Sequence, residues 1–226
     1  MDGDGEAGEE GLMILPAGYS DDARALWDAA LALNRAAAAV SPKAAALPPL
    51  LFLTDPQRTP RPWETAARQP AGAALVYRAF GGSYALETGL RLRGVTRQAG
   101  VRLLVGQDVD LAQTIEADGV HLPERQAAET TAIRAAHPDW LLTAAWHGAG
   151  APPHRLDALV LSPVFPAGGA SAAKPPLGVA AFRERAGKAG APVYALGGVT
   201  AGTVDELADS GACGLAGVSA IQDAFV

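Results

Sequence analysis

The 226 residues, 49% hydrophobic and 19% charged, are enough for one compact domain with its own core and few for two. Only 6% is aromatic, and 26 Gly and 17 Pro punctuate a chain rich in Ala, Val and Leu, which excludes collagen, coiled coil and bulk disorder, since each needs a period or a charge fraction absent here. Of the net charge of −6, Asp2, Asp4, Glu6, Glu9 and Glu10 account for five negatives. The rest of the chain is nearly neutral, with only Lys43, Lys174 and Lys188 as lysines and no basic stripe, so no nucleic acid partner is expected.

Residues 1–19 read as a disordered acidic tail, because the opening stretch has almost nothing to bury. Ser20 before Asp21 and Asp22 predicts a helix start, and Leu26, Trp27, Ala30, Leu31 and Leu33 share one face of a helix running to Val40. That helix and a proline-bearing link occupy 20–48, and a barrel domain is expected over 49–226. Eight short apolar runs follow: Leu50–Leu53, Ala74–Tyr77, Arg102–Val105, Gly119–Leu122, Leu141–Ala145, Ala158–Leu161, Val193–Leu196 and Gly214–Val218. Continuous apolar runs are what parallel strands buried on both faces look like. Helical patterns lie between them at Tyr84–Gln98, Leu111–Ala117, Ala127–Ala136, Val179–Lys188 and Thr203–Ser210, with Gly100, Gly190 and Gly211 at helix C-terminal positions. Eight β-then-α units predict a (β/α)8 TIM barrel with an extra N-terminal helix, the open doubly wound sheet being the alternative. No Gly-x-Gly-x-x-Gly follows the first strand, as a dinucleotide-binding sheet would require. The lone Cys213 allows neither an internal disulfide nor a Cys-based zinc site and suits a reducing compartment. No apolar run approaches the roughly 20 residues of a membrane helix, and the acidic N-terminus is unlike a signal peptide, so a cytoplasmic protein is expected.

In a barrel the chemistry belongs to the loops at the C-terminal strand ends. Arg78 closes the second strand, where a guanidinium can hold phosphate oxygens bidentately; a structural salt bridge is the alternative. Asp108, Asp110 and Glu124 follow strands three and four and offer oxygen ligands for magnesium, although Asp110 also suits a helix cap. His121 lies within strand four, as a core histidine or a catalytic one, and His147 ends strand five, again with both readings open. His137 and His154 read as surface residues. The segment from Ser162 to Gly178 is long and small-residue-rich, able to close over a ligand, and carries Lys174, which would meet a phosphate or diphosphate there or simply stay solvated. Gly197-Gly198 leave strand seven and Ser219-Ala220-Ile221 leave strand eight, so bare amides from both can converge on a phosphate; tight turns are the competing reading. No Gly-x-Ser-x-Gly elbow, His-Glu-x-x-His or Cys/His cluster is present, which argues against a serine hydrolase or a zinc enzyme.

Six segments in order, Leu53-Thr54-Asp55, Val109-Asp110-Leu111-Ala112, Ala117-Asp118-Gly119-Val120-His121-Leu122, Ser162-Pro163-Val164-Phe165-Pro166, Leu196-Gly197-Gly198-Val199 and Val218-Ser219-Ala220-Ile221, resemble thiamine-phosphate synthase and its sister, the thiazole tautomerase. The resemblance runs from about Leu50 to Phe225. It implies a (β/α)8 barrel that joins a pyrimidine diphosphate to a thiazole phosphate and releases diphosphate with help from magnesium. It also implies that Gly197, Gly198, Ser219, Ala220 and Ile221 hold the thiazole phosphate while Arg78 and Lys174 face the diphosphate. The departures fall on the diphosphate side. The family's Gln-x-Arg-x-Lys reads Val76, Tyr77, Arg78, Ala79, Phe80; its metal carboxylates fall at Gln107 and Gln126; its Pro-Thr-x-Thr-Lys reads Pro166-Ala167-Gly168-Gly169 with Lys174 displaced; and Ala145 replaces a serine. Asp108 and Glu124 stand beside the two glutamines as substitute metal ligands. Three functions share the phosphate grip: the transferase, a tautomerase-like isomerase with His121 or His147 moving the proton, and a non-catalytic barrel binding a phosphorylated small molecule, each as a monomer or a homo-oligomer.

Overall fold

The computed structural model describes residues 15–148 and 155–226. Its eight strands are β1 Leu50–Leu53, β2 Ala74–Tyr77, β3 Arg102–Gly106, β4 Gly119–Leu122, β5 Leu141–Trp146, β6 Ala158–Leu161, β7 Val193–Leu196 and β8 Gly214–Gly217. Each pairs in parallel with the next, and β8 pairs with β1, so the sheet closes into a barrel. Five strands have the bounds read from the sequence; β3 and β5 run one residue further and β8 stops one residue sooner. The apolar runs are continuous because both faces are buried. Leu51, Leu53, Val76, Leu104, Val160 and Tyr194 fill the barrel interior, and the alternate residues Leu50, Phe52, Leu75, Val105, Leu159 and Leu215 pack in the outer core.

The helices are α1 Asp21–Val40, α2 Pro42–Ala45, α3 Pro62–Arg68, α4 Ala85–Ala99, α5 Val109–Thr114, α6 Thr130–Ala136, α7 Gly178–Lys188 and α8 Ser219–Ala224. Ser20 caps α1 by accepting from the Ala23 amide, and Gly100 ends α4 at φ 68°, a left-handed position that glycine takes without a steric penalty. Two expected helices are shorter than their patterns. Residues 124–129 form a 3-10 segment before α6, and the Thr203–Ser210 pattern yields only the 3-10 turn Val204–Leu207. The reason for the second lies in α1, which packs against that turn, β8 and α8 and so supplies the outer cover at the β8–β1 seam. Leu26, Trp27 and Ala30 of α1 are fully buried there. The Asn34 amide fixes the helix by donating to the carbonyls of Ala44, Leu47 and Cys213 at 3.0–3.4 Å. Of the expected tail, residues 1–14 lie outside the described residues. Leu15, in contrast, is buried in the core, and Arg24 donates to the carbonyls of Leu15 and Pro16.

One device recurs at the N-terminal end of the barrel. Asp118, just before β4, accepts from the Leu103 amide of β3 at 2.6 Å and from Arg93 of α4 at 2.8 Å. Asp157, just before β6, accepts from the Leu142 amide of β5 at 2.7 Å and from Arg134 of α6 at 2.6 Å. Each carboxylate thereby satisfies a strand-opening amide and ties a helix to the barrel.

Candidate active site at the barrel mouth

The loop after β1 and the end of β2 form the most heavily bonded part of the mouth. The Arg78 amide donates to Thr54 Oγ1 at 2.9 Å and its Nε to the Thr54 carbonyl at 2.5 Å. Its Nη2 stands 3.8 Å from Asp55 Oδ2, too far for a hydrogen bond, and is buried without any hydrogen-bond partner. Burial pulls the Arg78 pKa down, the Asp55 charge opposes this and the Arg58 charge adds to it. The Asp55 carboxyl is the meeting point: Oδ1 accepts from the Gln57 and Arg58 amides at 3.1 Å each, and Oδ2 accepts from Arg58 Nη2 at 3.2 Å. Burial would raise the Asp55 pKa, but these donors outweigh it and hold the carboxyl below its ordinary value. Beside this cluster a cleft of about 470 Å³ opens between the β1 loop, α3 and α4, lined by Asp55, Trp63, Tyr77, Arg78, Tyr84 and Arg91.

His121 is 8% exposed, and its Nδ1 lies 2.9 Å from Thr143 Oγ1 on the neighbouring strand. Burial, and after it the Arg78 charge, push its pKa down to about 4, so the ring is neutral at pH 7. His147 follows β5, and its Nδ1 meets Glu124 Oε2 at 2.6 Å. Among the expected surface histidines, His137 stacks on Trp140 at the opposite end of the barrel, and His154 lies outside the described residues. Lys174 is exposed, and its side chain makes no hydrogen bond or ion pair among the described residues.

The β7 and β8 ends adjoin one another, which sets Gly197-Gly198 beside the N-terminus of α8. Gly197 and Gly198 have φ of 98° and 67°. A Cβ at Gly197 would come within 2.7 Å of Pro163 Cα, and one at Gly198 within 2.5 Å of the Pro166 carbonyl oxygen. The β6 loop is bonded onto this strand end, the Val164 and Phe165 amides donating to the Leu196 and Gly197 carbonyls. The two glycines thus permit the loop's close approach as well as bare amides. Ser219, Ala220 and Ile221 form the first turn of α8, where amides have no intrahelical acceptor.

The residues at the expected metal positions do not fit magnesium. Gln107 Oε1 accepts from the Arg125 guanidinium at 3.0 Å, Gln126 Oε1 is buried without a hydrogen-bond partner, Asp108 Oδ1 caps α5 by accepting from the Leu111 amide at 2.9 Å, and Glu124 holds His147. A divalent cation needs several anionic or carbonyl oxygens free to converge. Here Asp108 and Glu124 each have an oxygen engaged elsewhere, and a guanidinium stands on one of the neutral amides. Asp110, in the first turn of α5 with Asp108 rather than itself as the cap, is exposed. Among the described residues no group of three or more His, Cys, Asp or Glu gathers as a metal site. Two cations were not singled out in the sequence: Arg125, and Arg58, whose Asp55-x-x-Arg58 spacing is the only local trace of its pairing.

Residues 52–221 match the family model described as "Thiamine monophosphate synthase". Over 132 residues the chain is 32% identical to the "Putative thiamine-phosphate synthase 2" of Aquifex aeolicus, covering 57% of this chain and 70% of that one. It is likewise 32% identical over 140 residues to the "Thiamine-phosphate synthase" of Methanoculleus marisnigri, covering 60% and 66%. Among solved structures, a "Thiamine phosphate pyrophosphorylase" from Pyrococcus furiosus superposes with a TM-score of 0.65 at 24% identity, over 78% of this chain and 91% of that one, which speaks for the fold.

Proposed function

Since the chain belongs to the thiamine monophosphate synthase family, we propose that it is a thiamine-phosphate synthase-type transferase, joining a pyrimidine diphosphate to a thiazole phosphate and releasing diphosphate. The observation that carries this reading is the Arg78 guanidinium at the barrel mouth with a buried, unpartnered Nη2. A buried donor left without an acceptor costs about 1–3 kcal/mol, and an anionic oxygen is the partner that removes this cost. As the carbon–oxygen bond to the diphosphate breaks, negative charge grows on the departing oxygens. Arg78 stabilises that charge more strongly in the transition state than in the ground state. Lys174, carried on the β6 loop, adds a second cation when the loop closes over the substrate. The amides of Gly198, Ser219, Ala220 and Ile221, together with the bare backbone at Gly197, hold the thiazole phosphate.

Removing the Arg78 charge in Arg78→Ala is expected to lower kcat/KM for product formation by about a hundredfold or more, as loss of a transition-state donor does, and Lys174→Ala to lower it less. Turnover unchanged in Arg78→Ala would defeat the reading. A second reading, an isomerase of a thiazole phosphate, is favoured by the His147–Glu124 pair, in which a carboxylate orients the ring for proton transfer, whereas His121, with its pKa pushed down to about 4, resists protonation. Under that reading His147→Asn abolishes isomerisation of the thiazole phosphate while phosphate binding persists, and His121→Asn tests the alternative base. Phosphate binding with neither reaction would leave a non-catalytic barrel.

A further inference from the structure

The β1 loop places a second guanidinium where the family resemblance assigns none. Arg58 Nη2 and Arg78 Nη2 address the same oxygen, Asp55 Oδ2, at 3.2 and 3.8 Å. Two guanidinium charges therefore share one carboxylate, and the local balance is positive. Arg58 also lies directly under the β6 loop: a Cβ on Gly169 would stand 3.0 Å from its Cζ. Its own backbone is anchored from the far side, where the Gln222 side-chain amide of α8 donates to the Arg58 carbonyl at 3.0 Å. The cation beneath this part of the β6 loop thus comes from the β1 loop. Meanwhile Lys174 is solvent-exposed. Around Gln107 and Gln126 an oxygen of Asp108 caps α5, an oxygen of Glu124 holds His147 and Arg125 stands on Gln107, with no gathering of three acidic or histidine groups among the described residues.

We propose that Arg58 and Arg78 form a two-guanidinium seat for a diphosphate that works without a divalent cation, with Asp55 holding the pair in place. This rests on the transferase reading, because it concerns the leaving group of that reaction. Two planar guanidiniums offer paired N–H groups to neighbouring phosphate oxygens, a geometry that a lysine or a hexahydrated cation does not reproduce. Burial disfavours the charged Arg78 side chain in the ligand-free protein, the Asp55 charge opposes this by more than the Arg58 charge adds to it, and an added anion offsets the remaining desolvation cost.

The test is calorimetric titration of inorganic diphosphate into the full chain, once in EDTA and once in excess magnesium. The wild type is compared with Arg58→Ala, Arg58→Lys and Arg125→Ala. Binding in EDTA within about threefold of the magnesium value is expected, weakened tenfold or more in Arg58→Ala, only partly restored in Arg58→Lys and unchanged in Arg125→Ala. Melting temperature is followed in each variant, since the Arg58 side chain is one-third exposed and its removal should leave the fold intact. Affinity that appears only with magnesium, or that survives in Arg58→Ala, overturns the proposal while leaving the transferase reading standing. Absence of diphosphate binding both in EDTA and in magnesium overturns both.

Discussion

At the barrel mouth a single histidine separates pH effects on folding from those on chemistry. His121 has an ordinary pKa of 6.5 when unfolded and about 4 when folded, so between these values the unfolded chain binds a proton that the folded one refuses. Stability is therefore unaffected above about pH 6.5 and falls as pH drops toward 4, by up to about 3 kcal/mol. The difference in urea unfolding free energy between wild type and His121→Asn, followed across that window, should shrink by this amount toward low pH. A constant difference would show that the ring takes up its proton as readily in the folded state as in the unfolded. The sequence placed His121 on its strand, and strand alternation turns it inward. Its neutrality was not legible, because it depends on burial inside the closed barrel and, after that, on the Arg78 charge arriving from β2. The same holds for Arg58: Asp55 and Arg58 are three residues apart, but their convergence with Arg78 exists only once β1 and β2 are paired.

Among the elements, the two carboxylate clasps provide a matched comparison. Asp118 and Asp157 do the same work, yet the Arg93 side chain is 8% exposed and that of Arg134 is 26% exposed. Asp118→Ala leaves a nearly buried guanidinium unpaired and should cost about 3 kcal/mol. Asp157→Ala leaves a better-solvated one and should cost about 1–2 kcal/mol. Equal losses in chemical denaturation would mean that the strand amides, rather than the arginines, set the effect. The β6 loop is held in another way, by backbone bonds to β7 and by the absence of side chains at Gly197 and Gly198. Gly198→Ala sets a Cβ against the Pro166 carbonyl and adds a left-handed penalty, so about 2–4 kcal/mol of destabilisation is expected together with weakened binding of thiazole phosphate. The glycine pair stood out in the sequence as a candidate phosphate grip or a pair of tight turns; its part in seating the β6 loop needed the loop to be seen lying on it. Strand bounds were legible because eight apolar runs bury both faces. The shortened helices were not, since periodicity reports which face is apolar and is silent about which other element already covers it.

For the molecule as a whole, α1 is a structural part of the barrel wall. Trp27 is fully buried between α1 and the outer strands, and Trp27→Ala should cost about 3–5 kcal/mol, measurable as a lowered urea midpoint. A loss below 1 kcal/mol would make α1 an appendage. Barrel closure was legible from the count of β-then-α units, whereas the identity of the segment sealing the β8–β1 seam was not, because that segment precedes the first strand by sequence and meets the last one in space. Ser20 Oγ donates to the Ala224 carbonyl across 204 residues at 2.9 Å. A nascent chain emerging from the ribosome therefore makes α1 long before the surface at β8 and α8 that it covers exists. The apolar face of α1 is fully covered only after β8 and α8 have been synthesised, which makes its docking a late, long-range step of folding.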